Sequence, residues 1–170
     1  MTSYLIDTNV WLALTWDQHP QHAPASRWYQ SLNDSRLLFC RFTMLGFLRL
    51  LTNQQVMGDS TTTVADALQL YDRWMEDPRV ELAAELRGTE VLFRQAMAPY
   101  SLQQATKAIA DCYLVGFAES SGAHLVTFDR CLTATARFRQ VPVALLAPAK
   151  STAPAPSSAK PKRRGRRRAR

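Results

Sequence analysis

The sequence has no apolar run approaching the ~20 residues that cross a bilayer, so no membrane-spanning helix is expected. No charged n-region followed by a long apolar stretch opens the chain. No secretory leader is therefore expected, and a cytoplasmic location is. There are only three cysteines, Cys40, Cys112 and Cys131, an odd number at spacings that match no zinc pattern. Each lies among apolar neighbours, which predicts buried, reduced thiols rather than disulfides. His19 and His22 form H-x-x-H without a paired acid or cysteine set, which is weak support for zinc. Internal repeats are absent. Acids are absent from one whole region, the stretch from Lys150 to Arg170.

That last absence divides the charge. The formal net charge of +7 comes from 21 bases and 14 acids, and nine of the bases lie at or after Lys150. Twelve bases against 14 acids leave residues 1–149 at −2. The body is slightly acidic and the basicity lives in the tail. Hydrophobic content of 46% over 170 residues suits one globular domain with a genuine core. The organisation read from composition is a domain over 1–147, then an Ala/Pro/Ser and Lys/Arg-rich segment over 148–170. That segment has too little apolar surface to offset its ordering entropy and is expected to be disordered. Its lysines and arginines are dense enough to bind the phosphates of a nucleic acid non-specifically. A solubilising extension, or a contact with the acidic body, are the other readings.

Along the body, short apolar segments alternate with helical patterns. Tyr4–Ile6, Leu37–Cys40, Val80–Leu82 (an edge), His124–Thr127 and Val141–Leu146 read as strands. Helices are expected from Asn9, over about His22–Leu32, over Met44–Leu51 with Thr43 as cap, after Ser60, over 88–97 and over about Ala105–Glu119. Asn53-Gln54-Gln55 reads as a break. Val64, Leu68, Tyr71 and Met75 are the expected buried stripe of one helix, and Ile109, Cys112, Tyr113, Gly116 and Phe117 that of another. Trp11, Trp16, Trp28 and Trp74 read as core or interface anchors. The alternation predicts an α/β fold, a parallel sheet of about five strands covered on both faces by helices.

Three aspartates carry the chemistry. Asp7 ends the first strand, Asp129 lies just past the fourth, and Asp111 sits early in the long apolar helix between them in sequence. Sites in open α/β sheets form outside the carboxyl ends of the strands, where the strand order reverses. If strands one and four are neighbours, the acids converge. Clustered carboxylates repel and are costly to desolvate, and a divalent cation resolves both problems. An oxygen-rich site suits magnesium or manganese, which supports metal-assisted phosphodiester cleavage. For each Asp taken singly, a helix cap or turn is the competing reading.

The segments Leu5-Ile6-Asp7-Thr8-Asn9-Val10, Ile109-Ala110-Asp111-Cys112-Tyr113-Leu114 and Leu125-Val126-Thr127-Phe128-Asp129-Arg130 resemble the PIN domain, in particular the VapC toxins of bacterial VapBC modules. Thr43 and Arg49 match the family's S/T-x-x-E-x-x-R stretch, with Gly46 where the family has its second acid. The resemblance spans 4–146 and implies a PIN fold, magnesium-dependent endoribonuclease activity on structured RNA such as tRNA or rRNA, a VapB-type antitoxin and a homodimer. It implies catalytic and metal-holding roles for Asp7, Asp111 and Asp129. Thr8, Asn9 and Thr127 could orient the carboxylates, or make ordinary strand-end hydrogen bonds. Arg49 could hold a phosphate or pair with a pocket acid. Arg130, beside Asp129, completes the set of candidate substrate contacts.

Two other functions compete. A non-catalytic PIN-like RNA- or antitoxin-binding module is favoured by Gly46 and the basic tail. A haloacid-dehalogenase-like phosphatase is suggested by Asp7-Thr8-Asn9-Val10, but Asn9 stands where that family has its acid.

Overall fold

The computed structural model describes residues 1–147; the expected tail, 148–170, lies outside the described residues. Five strands form one parallel sheet: β1 (Thr2–Ile6), β2 (Ser35–Phe39), β3 (Val80–Leu82), β4 (His124–Thr127) and β5 (Val143–Leu145). Their order is β3-β2-β1-β4-β5, so β1 lies between β2 and β4 and pairs with both. The expected α/β architecture and the adjacency of the first and fourth strands are both present.

The pleat sorts each strand into two cores. Leu5, Leu38 and Leu125 point to one face; Ile6, Leu37, Phe39 and Val126 point to the other. Both faces are apolar because both are covered, which is why the strands read as continuous hydrophobic runs rather than alternating ones. The first face is covered by α6 (Thr89–Met97), α7 (Thr106–Ser121) and α8 (Arg130–Phe138). The second is covered by α1 (Thr8–Thr15), α2 (His22–Gln30), α3 (Arg41–Leu51), the single turn α4 (Gln54–Met57) and α5 (Val64–Met75). Trp11 is fully buried in that second core, stacked on Phe39 with ring centroids 3.9 Å apart.

Several helix expectations need correction. Thr43 does not precede its helix. It is the third residue of α3, and its Oγ1 accepts a hydrogen bond from the Cys40 N–H at 3.0 Å. Asn53 does not simply break the chain: its side chain accepts from the Gln55 N–H and starts α4. In α5, Val64 and Leu68 are exposed, and the buried row is Ala67 and Tyr71 with Leu70 and Trp74 beside it. Ile109, expected inside, is 51% exposed. Cys131 is exposed, whereas Cys40 and Cys112 are buried thiols as expected. The helix α8 was not anticipated; its inner row of Leu132, Thr133, Thr135 and Ala136 contains too little apolar surface to register as a stripe.

Tight approach between helices depends on two glycines. A Cβ at Gly116 of α7 would stand 2.6 Å from the backbone nitrogen of Phe93 in α6. A Cβ at Gly46 of α3 would stand 2.8 Å from Oγ1 of Thr8 in α1. At the end of α7, Gly122 takes a left-handed φ of 64°, which stops the helix and turns the chain into β4. His22 Nδ1 lies 2.8 Å from the Ala13 carbonyl and its Nε2 3.0 Å from Ser26 Oγ, which ties α2 to α1. His19 Nδ1 accepts from the Gln21 N–H. These ring nitrogens serve the fold. Among the described residues no helix is long and apolar enough to cross a membrane.

Candidate active site

Asp7 follows the last residue of β1 and is the N-cap residue of α1; Asp129 lies two residues past the end of β4 and is the N-cap residue of α8. The two strands are neighbours, and the chain passes left from β1 to β2 but arrives at β4 on the other side. The carboxyl ends of β1 and β4 are thus the place where the strand order reverses. By the pleat, Asp7 and Thr127 share the face of Leu5 and Leu125, the face covered by α7, and α7 carries Asp111.

Asp7 is buried, with 8% of its surface exposed. It does not cap α1. Its Oδ2 instead accepts a hydrogen bond of 2.7 Å from the Thr127 hydroxyl. That hydroxyl accepts in turn from the Asp129 N–H at 2.9 Å. One oxygen therefore joins the ends of both strands. Burial pushes the Asp7 carboxyl above its ordinary range; the Thr127 hydrogen bond and the Thr8 and Asn9 amides oppose the shift, and the charge of Asp129 adds to it.

Asp111 is half-buried and makes no side-chain hydrogen bond among the described residues. Its pKa is pushed up to about 6, first by desolvation and then by the charges of Asp129 and Asp7. Asp111 therefore feels the charge of both other acids. Asp129 is exposed, and its Oδ1 caps α8 by accepting from the Cys131 N–H at 2.6 Å and the Leu132 N–H at 3.4 Å. The capping reading of Asp129 is therefore correct for one of its oxygens.

The other candidates separate. Thr127 is fully buried and orients Asp7, beyond ordinary strand-end bonding. Thr8 makes no side-chain hydrogen bond among the described residues and packs against Gly46. Asn9, Arg49 and Arg130 are exposed. Arg49 forms no ion pair among the described residues, so it does not neutralise a pocket acid. Thr8, Asn9, Phe42, Leu45, Gly46 and Arg49 line a cleft of about 460 Å³ beside Asp7. The sequence reading missed the Phe42 and Leu45 walls, which carry no polar atom to attract notice.

Among the described residues, no three His, Cys, Asp or Glu side chains stand together in an arrangement that would hold one ion. The donor chemistry nonetheless suits a hard divalent cation. Oδ1 of Asp7 and both oxygens of Asp111 accept no side-chain hydrogen bond among the described residues, and burial, followed by the charge of a neighbouring aspartate, raises both pKa values. Such a cation would take protein oxygens from two carboxylates and complete its shell with water.

Residues 4–138 match the PIN domain. The chain is 37% identical over 136 residues to Ribonuclease VapC41 of Mycobacterium tuberculosis, covering 76% of this chain and 90% of that protein. It is 31% identical over 140 residues to Ribonuclease VapC39 of the same organism, covering 78% and 92%. Among solved structures, VapBC-1 from nontypeable Haemophilus influenzae superposes with a TM-score of 0.62 at 14% identity, over 85% of this chain and 98% of that one. Mycobacterium tuberculosis VapC20, described as a sarcin–ricin loop cleaving toxin, superposes with a TM-score of 0.58 at 15% identity, over 77% and 93%. Both structures share the fold described above.

Proposed function

From the premise that this chain belongs to the PIN-domain family, among the VapC ribonucleases, we propose that it is the toxin of a type II toxin–antitoxin pair and a metal-dependent endoribonuclease. What supports the reading is that Asp7 and Asp129 follow neighbouring strands at the reversal point of the sheet, that Asp7 is buried, and that the half-buried Asp111, raised to about 6, feels the charge of both. Asp7 and Asp111 would hold magnesium, or manganese, directly, and the outer oxygen of Asp129 would act through water. When bound, the ion lowers the pKa of a water and polarises the phosphoryl oxygen. Thr127 keeps Asp7 in one orientation, leaving Oδ1 for the ion. Thr8, Asn9, Arg49 and Arg130 border the RNA path. The substrate class is structured RNA, tRNA or rRNA, and the partners are a VapB-type antitoxin and a second copy of the chain.

The test is cleavage of total RNA by the purified chain with magnesium. Activity should vanish in chelator and in Asp7→Asn and Asp111→Asn. Either variant cutting as wild type does would overturn the metal reading. A second reading, a non-catalytic RNA- or antitoxin-binding module, is favoured by Gly46 in the place of the fourth acid and by the lack of a compact three-carboxylate cluster among the described residues. RNA binding without cleavage at any magnesium or manganese concentration would select it. The phosphatase alternative has no support in the site: the Asn9 side chain is exposed and hydrogen-bonded to nothing among the described residues, and as an amide it does not supply the acid.

A further inference from the structure

We propose that the cleft beside Asp7 is a nucleotide subsite, in which Phe42 stacks on an unpaired base of the RNA and Arg49 holds a neighbouring phosphate. The proposal rests on the ribonuclease reading and says where and how a single-stranded nucleotide is gripped.

The cleft is about 460 Å³, inside the ~300–1,000 Å³ range of small-ligand sites. Its wall includes Thr8 and Asn9, the two residues that follow Asp7 in the chain. Gly46 contributes no side chain to fill it, and α3 rests there on Thr8.

Phe42 is 42% exposed. A single exposed aromatic is ordinary, but this one is braced. Its ring centroid lies 5.6 Å from that of Tyr113. Tyr113 is held by a ring contact to Phe93 at 6.2 Å and by its hydroxyl, which donates to Glu85 Oε2 at 2.8 Å. A braced ring at the rim of a largely apolar cleft loses little entropy when a flat ligand covers it. Every nucleobase offers such a face, and single-stranded RNA is commonly gripped by aromatic stacking.

The polar groups favour a nucleotide over a protein helix. Arg49 is an exposed cation with no ion pair among the described residues, suited to phosphate. Asn9 is an exposed amide with no hydrogen-bond partner among the described residues, suited to a base edge. Arg49 also offsets the repulsion that the crowded acids would exert on an incoming phosphate.

The experiment is fluorescence anisotropy of a labelled, mixed-sequence single-stranded RNA, in chelator so that no cleavage occurs, alongside magnesium-dependent cleavage of the same RNA. Phe42→Ala should weaken binding about tenfold, and Phe42→Trp should restore it. Arg49→Gln should weaken binding severalfold and lower the slope of log affinity against log salt by about one. Fully duplexed RNA should show no Phe42 effect. If wild type binds and cleaves and Phe42→Ala does both equally well, this proposal falls while the ribonuclease reading stands. If wild type neither binds nor cleaves, both fall. A Phe42→Ala chain that keeps RNA affinity but loses a cognate antitoxin would assign the ring to a protein partner and overturn the subsite.

Discussion

Asp7 and Asp129 occupy equivalent places in two βα units, each between the end of a parallel strand and the start of a helix. Asp129 turns an oxygen onto the Cys131 and Leu132 amides and stabilises its own helix. Asp7 leaves α1 uncapped, and its carboxylate is buried with one oxygen held by Thr127 from the neighbouring strand. The position is the same, but the commitment of the oxygens differs. An acid spent on its helix is a cap with one oxygen to spare; an acid held from outside its helix is free for other chemistry. The difference ranks the two as primary and auxiliary in the proposed reaction.

The sharpest way to break this ranking is a pair of amides. Asp7→Asn should reduce RNA cleavage more than 100-fold, a loss of about 3 kcal/mol in transition-state stabilisation. Asp129→Asn should reduce it only about tenfold and leave the melting temperature near wild type, because Asn caps helices as well as Asp does. Equal losses in the cleavage assay would end the distinction. Next, Thr127→Val removes the hydroxyl that serves both junctions. It should cost about 2 kcal/mol in a denaturant melt, since a buried carboxylate loses its donor, and cleavage should drop with it.

A smaller effect should follow pH. Folded Asp111 keeps its proton up to about pH 6, whereas the unfolded chain releases it near 3.8. The folded state binds more protons in that window, so stability of the chelator-treated protein should fall as pH rises from about 4 to about 6. Asp111→Asn should flatten the fall and stabilise the neutral protein by about 1.5 kcal/mol, half of what the full shift would give, because the carboxyl is partly exposed to screening solvent. Adding magnesium to wild type should raise the melting temperature more at pH 7 than at pH 5; no such difference would count against a cation at Asp111. The smallest effect belongs to the cap. Asp129→Ala should lose about 1 kcal/mol through α8 alone.

Much of this was legible in the sequence because of how the sheet is buried. Strands covered on both faces are uninterrupted apolar runs, so Tyr4–Ile6 and His124–Thr127 stood out, and strand adjacency then brought Asp7 and Asp129 together. Helix phase was less legible. Val64 and Leu68 lie one row away from Ala67 and Tyr71, and periodicity does not say which of two adjacent rows meets the sheet. The helix α8 was hidden by small and hydroxylated inward residues. The meeting of Gly46 with Thr8 was invisible for another reason: it depends on the spacing of α1 and α3, which no local pattern encodes.

The Thr127 hydroxyl has a consequence of its own. A hydroxyl owns one hydrogen and two lone pairs, and here one lone pair accepts from the Asp129 N–H. Its hydrogen is aimed at Oδ2 of Asp7. While the carboxyl is ionised Oδ2 is the receiver, and a proton taken up on Oδ1 leaves that hydrogen bond in place. The two oxygens of a carboxylate, interchangeable in water, are distinguishable atoms in this protein.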